Sequence, residues 1–283
     1  MTGPTSSTYQ ASRIPSTLVA QVNKRENHVV SDNQKLREIY GADQNDQRSG
    51  VFDLAQDETS LPKPHTWAIP EREYLRQESH RGRRHAYETL NPTRTALVVI
   101  DMVPFFVHEN PYCKAIVPNI NNVAHHLRRT GGTVAWVLPD PVNPNPKWAR
   151  EFFGPERASI YASSGGTGPL HERVFPGLHV DLESDVVVEK SASSAFFPGR
   201  CHLPDVLTER GIDTVLITGT VTNVCCESSA RDAATLGYRV IMIADANATL
   251  FDNWHNATLS TIYRTFGDVR STREVIELLA TAG

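Results

Sequence analysis

The sequence predicts an α/β fold: a parallel sheet covered by helices on both faces. Three observations carry that prediction. Short apolar blocks recur between residues 95 and 270, each bounded by turn signals and separated by helix-compatible segments. The blocks are near-continuously apolar rather than alternating, the pattern of strands buried on both faces. Glycines stand where the helices should stop, at Gly131-Gly132, Gly211 and Gly237.

The first strand, TALVVI (Thr95–Ile100), ends at Asp101. A helix is expected over Pro118–Thr130 and a second strand over Thr133–Leu138. Pro139–Val174, with PDPVNPNPKW and SSGGTG inside it, reads as a long irregular loop. Loops of that length in compact domains commonly act as lids or specificity elements. The third strand (Asp185–Glu189) ends at Lys190, and a helix follows over Leu203–Arg210. The fourth strand, Thr214–Thr218, turns at Gly219 into a helix whose first turn carries Cys225 and Cys226. A fifth strand (Arg239–Ala244), a helix (Asn253–Phe266), a short edge strand (Gly267–Arg270) and a last helix (Thr272–Ala280) complete the domain, 91–283.

Residues 1–90 differ from the rest. They are rich in Ser, Thr, Gln, Asn and charge. Residues 1–31 are expected to be mobile, 32–40 to form a short helix, and 69–87 to be charged and helix-compatible. The basic run RQESHRGRRH (76–85) reads as a solvated face balanced by Glu71, Glu73 and Glu78. This extension has too little apolar surface for a core of its own, so it is expected to wrap the main domain or a neighbouring subunit.

Composition bounds the function. The chain has 283 residues, 40% apolar and 21% charged, with a net charge of −4. That suits one sizeable core and disfavours nucleic acid or an anionic membrane as partner, both of which select a basic face. No run of about 18 apolar residues suggests a membrane span. The N-terminus lacks a continuous apolar signal region, so a cytoplasmic location is expected. The four cysteines show no CxxC spacing and read as free thiols rather than disulfides or zinc ligands.

Right-handed crossovers place all strand C-termini on one edge of a parallel sheet, where ligands bind. Asp101, Lys190 and the Cys225-Cys226 pair stand at three such ends. Asp101 is the candidate general base for a thiol nucleophile. Lys190 and the helix N-terminus supply positive charge that favours thiolate. At about 100° per residue, Cys226 shares a narrow stripe with Ala230 and Ala233, and Cys225 lies off it toward the cleft. That geometry favours Cys225 as nucleophile. The N–H groups of Val221 and Cys225 are candidates for an oxyanion hole. Phe105, Phe106, Phe196 and Phe197 are candidates to wall a pocket, with Trp136 and Trp148 behind them. His255 reads as a structural hydrogen bonder.

From Asn91 onward the chain resembles the isochorismatase-like cysteine hydrolases. The carriers are TALVVIDMVPFFV with Asp101, VVVEKSASSAFFPG with Lys190, and GTVTNVCCESSARDAATLGYRVIMIADANAT with Cys225. The resemblance implies a doubly wound, parallel six-stranded sheet and an Asp101–Lys190–Cys225 triad. It also implies a cis peptide at Thr220–Val221, an oxyanion hole from the Val221 and Cys225 N–H groups, and a homo-oligomer. Where the family usually reads DMQNDF this chain reads DMVPFF, which makes the pocket entrance more apolar. The nicotinamidases' metal-binding Asp and two His are not matched after Asp140, so no metal and no other cofactor are expected. Retention of the cysteine favours cleavage of a C–N bond in a small amide, carbamoyl or ureido substrate. The alternatives are an isochorismatase-type enol-ether hydrolase, in which Asp101 acts directly, and a non-catalytic thiol redox sensor.

Overall fold

The computed structural model describes residues 61–108, 110–140 and 146–281, which fall in one compact unit, Gln56–Gly283. Its frame is a six-stranded sheet in the order β3-β2-β1-β4-β5-β6, parallel at every pairing. The strands are β1 (Thr95–Ile100), β2 (Thr133–Pro139), β3 (Val186–Lys190), β4 (Thr214–Thr220), β5 (Arg239–Ala248) and β6 (Asp268–Arg270). The chain runs outward from β1 to β3, then returns to place β4 on the other side of β1. The order therefore reverses between β1 and β4, and open sheets of this kind take ligands in the crevice beyond the C-terminal ends of such strands.

Side chains along the strands alternate between two cores. Ala96, Val98, Ile100, Val215, Ile217, Val240 and Met242 face one side. That side is covered by α6 (Leu203–Glu209), α7 (Glu227–Thr235) and α8 (Asp252–Thr265). Leu97, Val99, Val134, Trp136, Leu216 and Ile241 face the other, under α3 (Pro111–Arg129) and α9 (Thr272–Ala280). Ser271 opens α9 with a capping box to Glu274, which satisfies helix-start donors on both sides.

Residues 61–90 lie along this unit. Lys63 N–H donates to Pro111 O, Asn256 holds the backbone of Thr66 and Ala68, and Ile69 enters the core. A helix, α1 (Glu71–Arg81), follows, with buried Glu73 paired to Arg264 at 3.4 Å. Part of the basic run is not simply solvated: Arg84 and Arg81 lie over the rings of Tyr74 and Tyr263. The expectations for residues 1–31 and 32–40 lie outside the described residues.

Several boundaries differ from the sequence reading. The helix expected at Pro118 begins at Pro111, because Asn110 accepts from the N–H groups of Tyr112 and Cys113 and caps it there. Pro118 sits inside that helix at an exposed position. β5 runs on to Ala248 past a register shift against β4. The segment 139–174 is not irregular throughout. It contains α4 (Pro146–Phe153) and α5 (Pro155–Ala162), each with proline in its first turn, and a 3-10 turn at Leu170–Arg173. No described helix is long and apolar enough to cross a membrane.

Candidate active site

Asp101 follows β1 directly, with φ 53, the one non-glycine residue at positive φ among those described. Aspartate tolerates this left-handed geometry better than most side chains, though it still costs roughly 1–2 kcal/mol. Its backbone is held on both sides, its N–H donating to Val137 O and its carbonyl accepting from Val103 N–H, each at 2.9 Å. Beside it, Gly219 of β4 has φ 113, and a Cβ there would stand 2.1 Å from Ile100 O. Only glycine lets β4 approach β1 this closely at the point where Asp101 turns into the crevice.

Lys190, the last residue of β3, reaches the crevice from two strands away, passing the end of β2. Its stem is long enough for strands about 4.8 Å apart. Nζ lies 2.8 Å from Asp101 Oδ2 and 3.5 Å from Cys225 Sγ, and donates to Ala192 O at 3.1 Å. All three ammonium protons therefore have acceptors. Asp101 Oδ1 is buried and has no hydrogen-bond partner at ordinary distance. It is the acceptor available to the Cys225 thiol.

The nucleophile candidate sits in a π-helical turn, Thr222–Cys226, that leads into α7. The preceding peptide, Thr220–Val221, is cis, at the position the resemblance implied. Cys226 is fully buried with Ala230 and Ala233 in the core, while Cys225 is partly exposed and contacts Lys190. The split of the pair thus follows the helical stripe. Val221 N–H has no protein acceptor among the described residues.

Electrostatics set the resting state of the site. Burial and then the Asp101 charge push the Cys225 thiol up to about 12, and Lys190 only partly offsets them. The resting thiol is protonated, not a thiolate, because its desolvation outweighs the cation. Burial also raises the Asp101 carboxyl, against the opposing pull of Lys190 and the thiol. Burial lowers Lys190, but the Asp101 charge and the hydrogen bonds to Asp101 and Cys225 outweigh it and leave its ammonium above the ordinary lysine value. The site at rest is an ion pair beside a thiol.

The aromatic candidates divide. Phe105 and Phe106, on α2 (Pro104–Val107), are partly buried and meet edge to face at 4.8 Å. Phe197 is half exposed. Phe196 is fully buried against Tyr238 and belongs to the core. Trp136 is likewise core, its indole N–H donating to Asp185 Oδ2 at 2.7 Å, since it lies on the inner face of β2. Trp148 is about half exposed on α4, stacked on Phe152. His255 is buried, as a structural histidine should be, with Nδ1 2.9 Å from Thr222 Oγ1.

Three supporting residues were missed because each acts through a contact far away in sequence. Buried Arg173 donates to Gly165 O, Pro139 O and Glu189 Oε1, each at 2.6 Å. It ties Pro139 and Gly165 to Glu189, the neighbour of Lys190 in β3. Ser229 Oγ accepts from Ala195 N–H at 2.9 Å, joining the loop after β3 to α7. His65, from the N-terminal extension, meets Thr249 and His255, which in turn bond to Asn223 and Thr222 of the Cys225 turn. No local pattern marks any of the three. Among the described residues no group of three or more His, Cys, Asp or Glu is placed to hold a metal.

Comparison with known proteins agrees with this fold. The family model for the isochorismatase domain matches residues 95–274. YwoC of Bacillus subtilis, an isochorismatase family protein, is 32% identical over 65% of this chain and 93% of its own. Ureidoacrylate amidohydrolase RutB of Rhizobium rhizogenes is 26% identical over 69% of this chain and 87% of its own. Among solved structures, a cysteine hydrolase from Pseudomonas syringae superposes with a TM-score of 0.61 at 28% identity, covering 70% of this chain and 98% of that one. N-carbamoylsarcosine amidase from Thermoplasma acidophilum gives 0.50 at 26% identity, over 63% and 96%. With the fold, the matched domain and these relatives in accord, the chain belongs to the isochorismatase family and is a hydrolase of that family.

Proposed function

We propose that this hydrolase cleaves a C–N bond in a small amide, carbamoyl or ureido compound through a thioester on Cys225. The observation that carries the reading is the contact of Asp101, Lys190 and Cys225 at the β1/β4 crevice, with Asp101 Oδ1 left open. Two of the relatives are named for such bonds, as ureidoacrylate amidohydrolase and N-carbamoylsarcosine amidase.

The protonated resting thiol sets the order of events. Asp101 takes the thiol proton as sulfur attacks the substrate carbonyl carbon, so thiolate forms only with its electrophile in place. Lys190 stays charged throughout and holds Asp101 toward the thiol. The Val221 and Cys225 N–H groups receive the developing oxyanion. Asp101 then returns the proton to the departing nitrogen as the C–N bond breaks. Water adds to the thioester, with Asp101 again as base, and the acid leaves with the thiol restored. A thiol held protonated by burial also runs against a peroxide sensor, which needs an accessible thiolate.

The test is ammonia or amine release across a panel of ureido, carbamoyl and simple amides, comparing wild type, Cys225→Ala and Cys226→Ala. Cys225→Ala is expected to abolish turnover. Cys226→Ala is expected to keep it and to lose roughly 1 kcal/mol of stability through the small core void. Turnover that survives Cys225→Ala, in either an amide or an enol-ether assay, would point to Asp101 acting without the thiol and sink the thioester route.

A further inference from the structure

The extension ahead of the family domain contributes one side chain to the support of the nucleophile turn. The His65 side chain is 2% exposed. Its ring is sandwiched between Tyr112 at the start of α3 and His255 of α8, with centroids 4.0 and 4.3 Å away and planes within 8°. Its hydrogen bonds set its state. Thr249 N–H donates to Nε2 at 3.1 Å, so Nε2 is unprotonated. Nδ1 carries the proton and donates to Asp252 Oδ1 at 2.6 Å.

Two paths lead from this neutral ring to the turn. Thr249, held by Nε2, donates its hydroxyl to Asn223 Oδ1 at 2.6 Å. His255, held by stacking, is 2.9 Å from Thr222 Oγ1. Thr222 and Asn223 open the turn that ends with Cys225 and Cys226.

We infer that His65 is a positioning residue for Cys225, acting on the start of the nucleophile turn chiefly through Thr249 and Asn223, from outside the family domain. The inference rests on Cys225 being the nucleophile. Protonation would turn Nε2 into a donor facing Thr249 N–H and break that path. The groups facing the ring are Asp252 and His255 from α8, Tyr112 from α3, and Lys63 from its own segment. Burial lowers the His65 pKa, with Asp252 opposing and Lys63 assisting, so the path is intact at neutral pH and breaks on acidification.

The experiment reads thiol placement without needing turnover. The full chain is treated with iodoacetamide, and the alkylation rate is followed at the Cys225 peptide by mass spectrometry. The proteins are wild type, His65→Ala, His65→Gln, which keeps an acceptor for Thr249 N–H, and His65→Phe, which keeps the stacked ring. Melting temperatures are taken alongside. His65→Ala and His65→Phe are expected to change the Cys225 rate about fivefold, the effect of one neutral hydrogen bond, with His65→Gln restoring most of it. Between pH 7 and 5 the wild-type rate is expected to depart from the roughly tenfold fall per unit of a simple thiol, and His65→Gln to follow it. Equal rates in wild type and His65→Ala would overturn the inference, as would a wild-type profile matching His65→Gln. If His65→Ala does not fold, Gln and Phe variants that behave alike are the overturning result. Failure to find an amide substrate would count against the proposed reaction and leave these rates unaffected.

Discussion

Replacing Lys190 with methionine tests how the site is held together. The Lys190 and Asp101 side chains are 4% and 2% exposed, so their 2.8 Å ion pair is desolvated on both sides. Methionine keeps most of the lysine stem but removes the charge. Asp101 Oδ1 already lacks a partner, and Lys190→Met would strand Oδ2 as well. Breaking one side of such a pair costs about 3–5 kcal/mol, a large share of the roughly 5–15 kcal/mol typical of a domain. Without the cation, only the Cys225 hydrogen bond still opposes burial, and the Asp101 carboxyl is pushed further up, leaving the base protonated and turnover lost. Urea unfolding of Lys190→Met, Asp101→Asn and the double variant provides the measurement. The double variant removes both charges and should recover most of the stability but none of the activity. A loss under about 1 kcal/mol in Lys190→Met would match an exposed pair and refute the reasoning. A double variant as unstable as the two singles summed would refute it equally.

Three further predictions concern pH and backbone. Because Asp101 titrates above its ordinary value of 3.8, turnover should fall with acidification through that raised value, with no requirement for thiol ionisation near 9.0; an activity rise tracking pH 9 would contradict a protonated resting thiol. Cys113 and Cys225 are both pushed from 9.0 up to about 12, so the unfolded chain releases thiol protons that the folded chain retains. Their contribution to stability is complete below pH 9 and lost as pH rises toward 12, and denaturant midpoints that climb over that range would show the sign to be wrong. Gly219→Ala places a Cβ 2.1 Å from Ile100 O at φ 113 and should cost roughly 3 kcal/mol or more; a melting temperature near wild type would show that β1 and β4 can separate without harm.

The architecture was legible because parallel strands buried on both faces must be apolar throughout, as TALVVI and RVIMIA are. Asp101, Lys190 and the cysteine pair could be read because each is tied to a strand end, and topology brings those ends to one edge. The stripe of Cys226, Ala230 and Ala233 separated the two thiols for the same local reason. Boundaries set by side-chain capping were harder: Asn110 starts α3 seven residues before the expected Pro118. The helices of the 139–174 segment were hidden by the prolines that begin them.

What the sequence determined alone is what nearest neighbours along the chain decide: periodicity, strand ends, and which thiol leaves the apolar stripe. What only the tertiary structure decided is what depends on desolvation and on contacts between distant segments. Local motifs marked the thiol, its base and its cation, and burial beside Asp101 is what keeps Cys225 protonated. The polar extension looked like a wrapping arm, yet it brings His65 to Thr249 across 184 residues, onto the support of the Cys225 turn. Charge and propensity are properties of a residue. The free energy of a proton in a crevice is a property of everything packed around it.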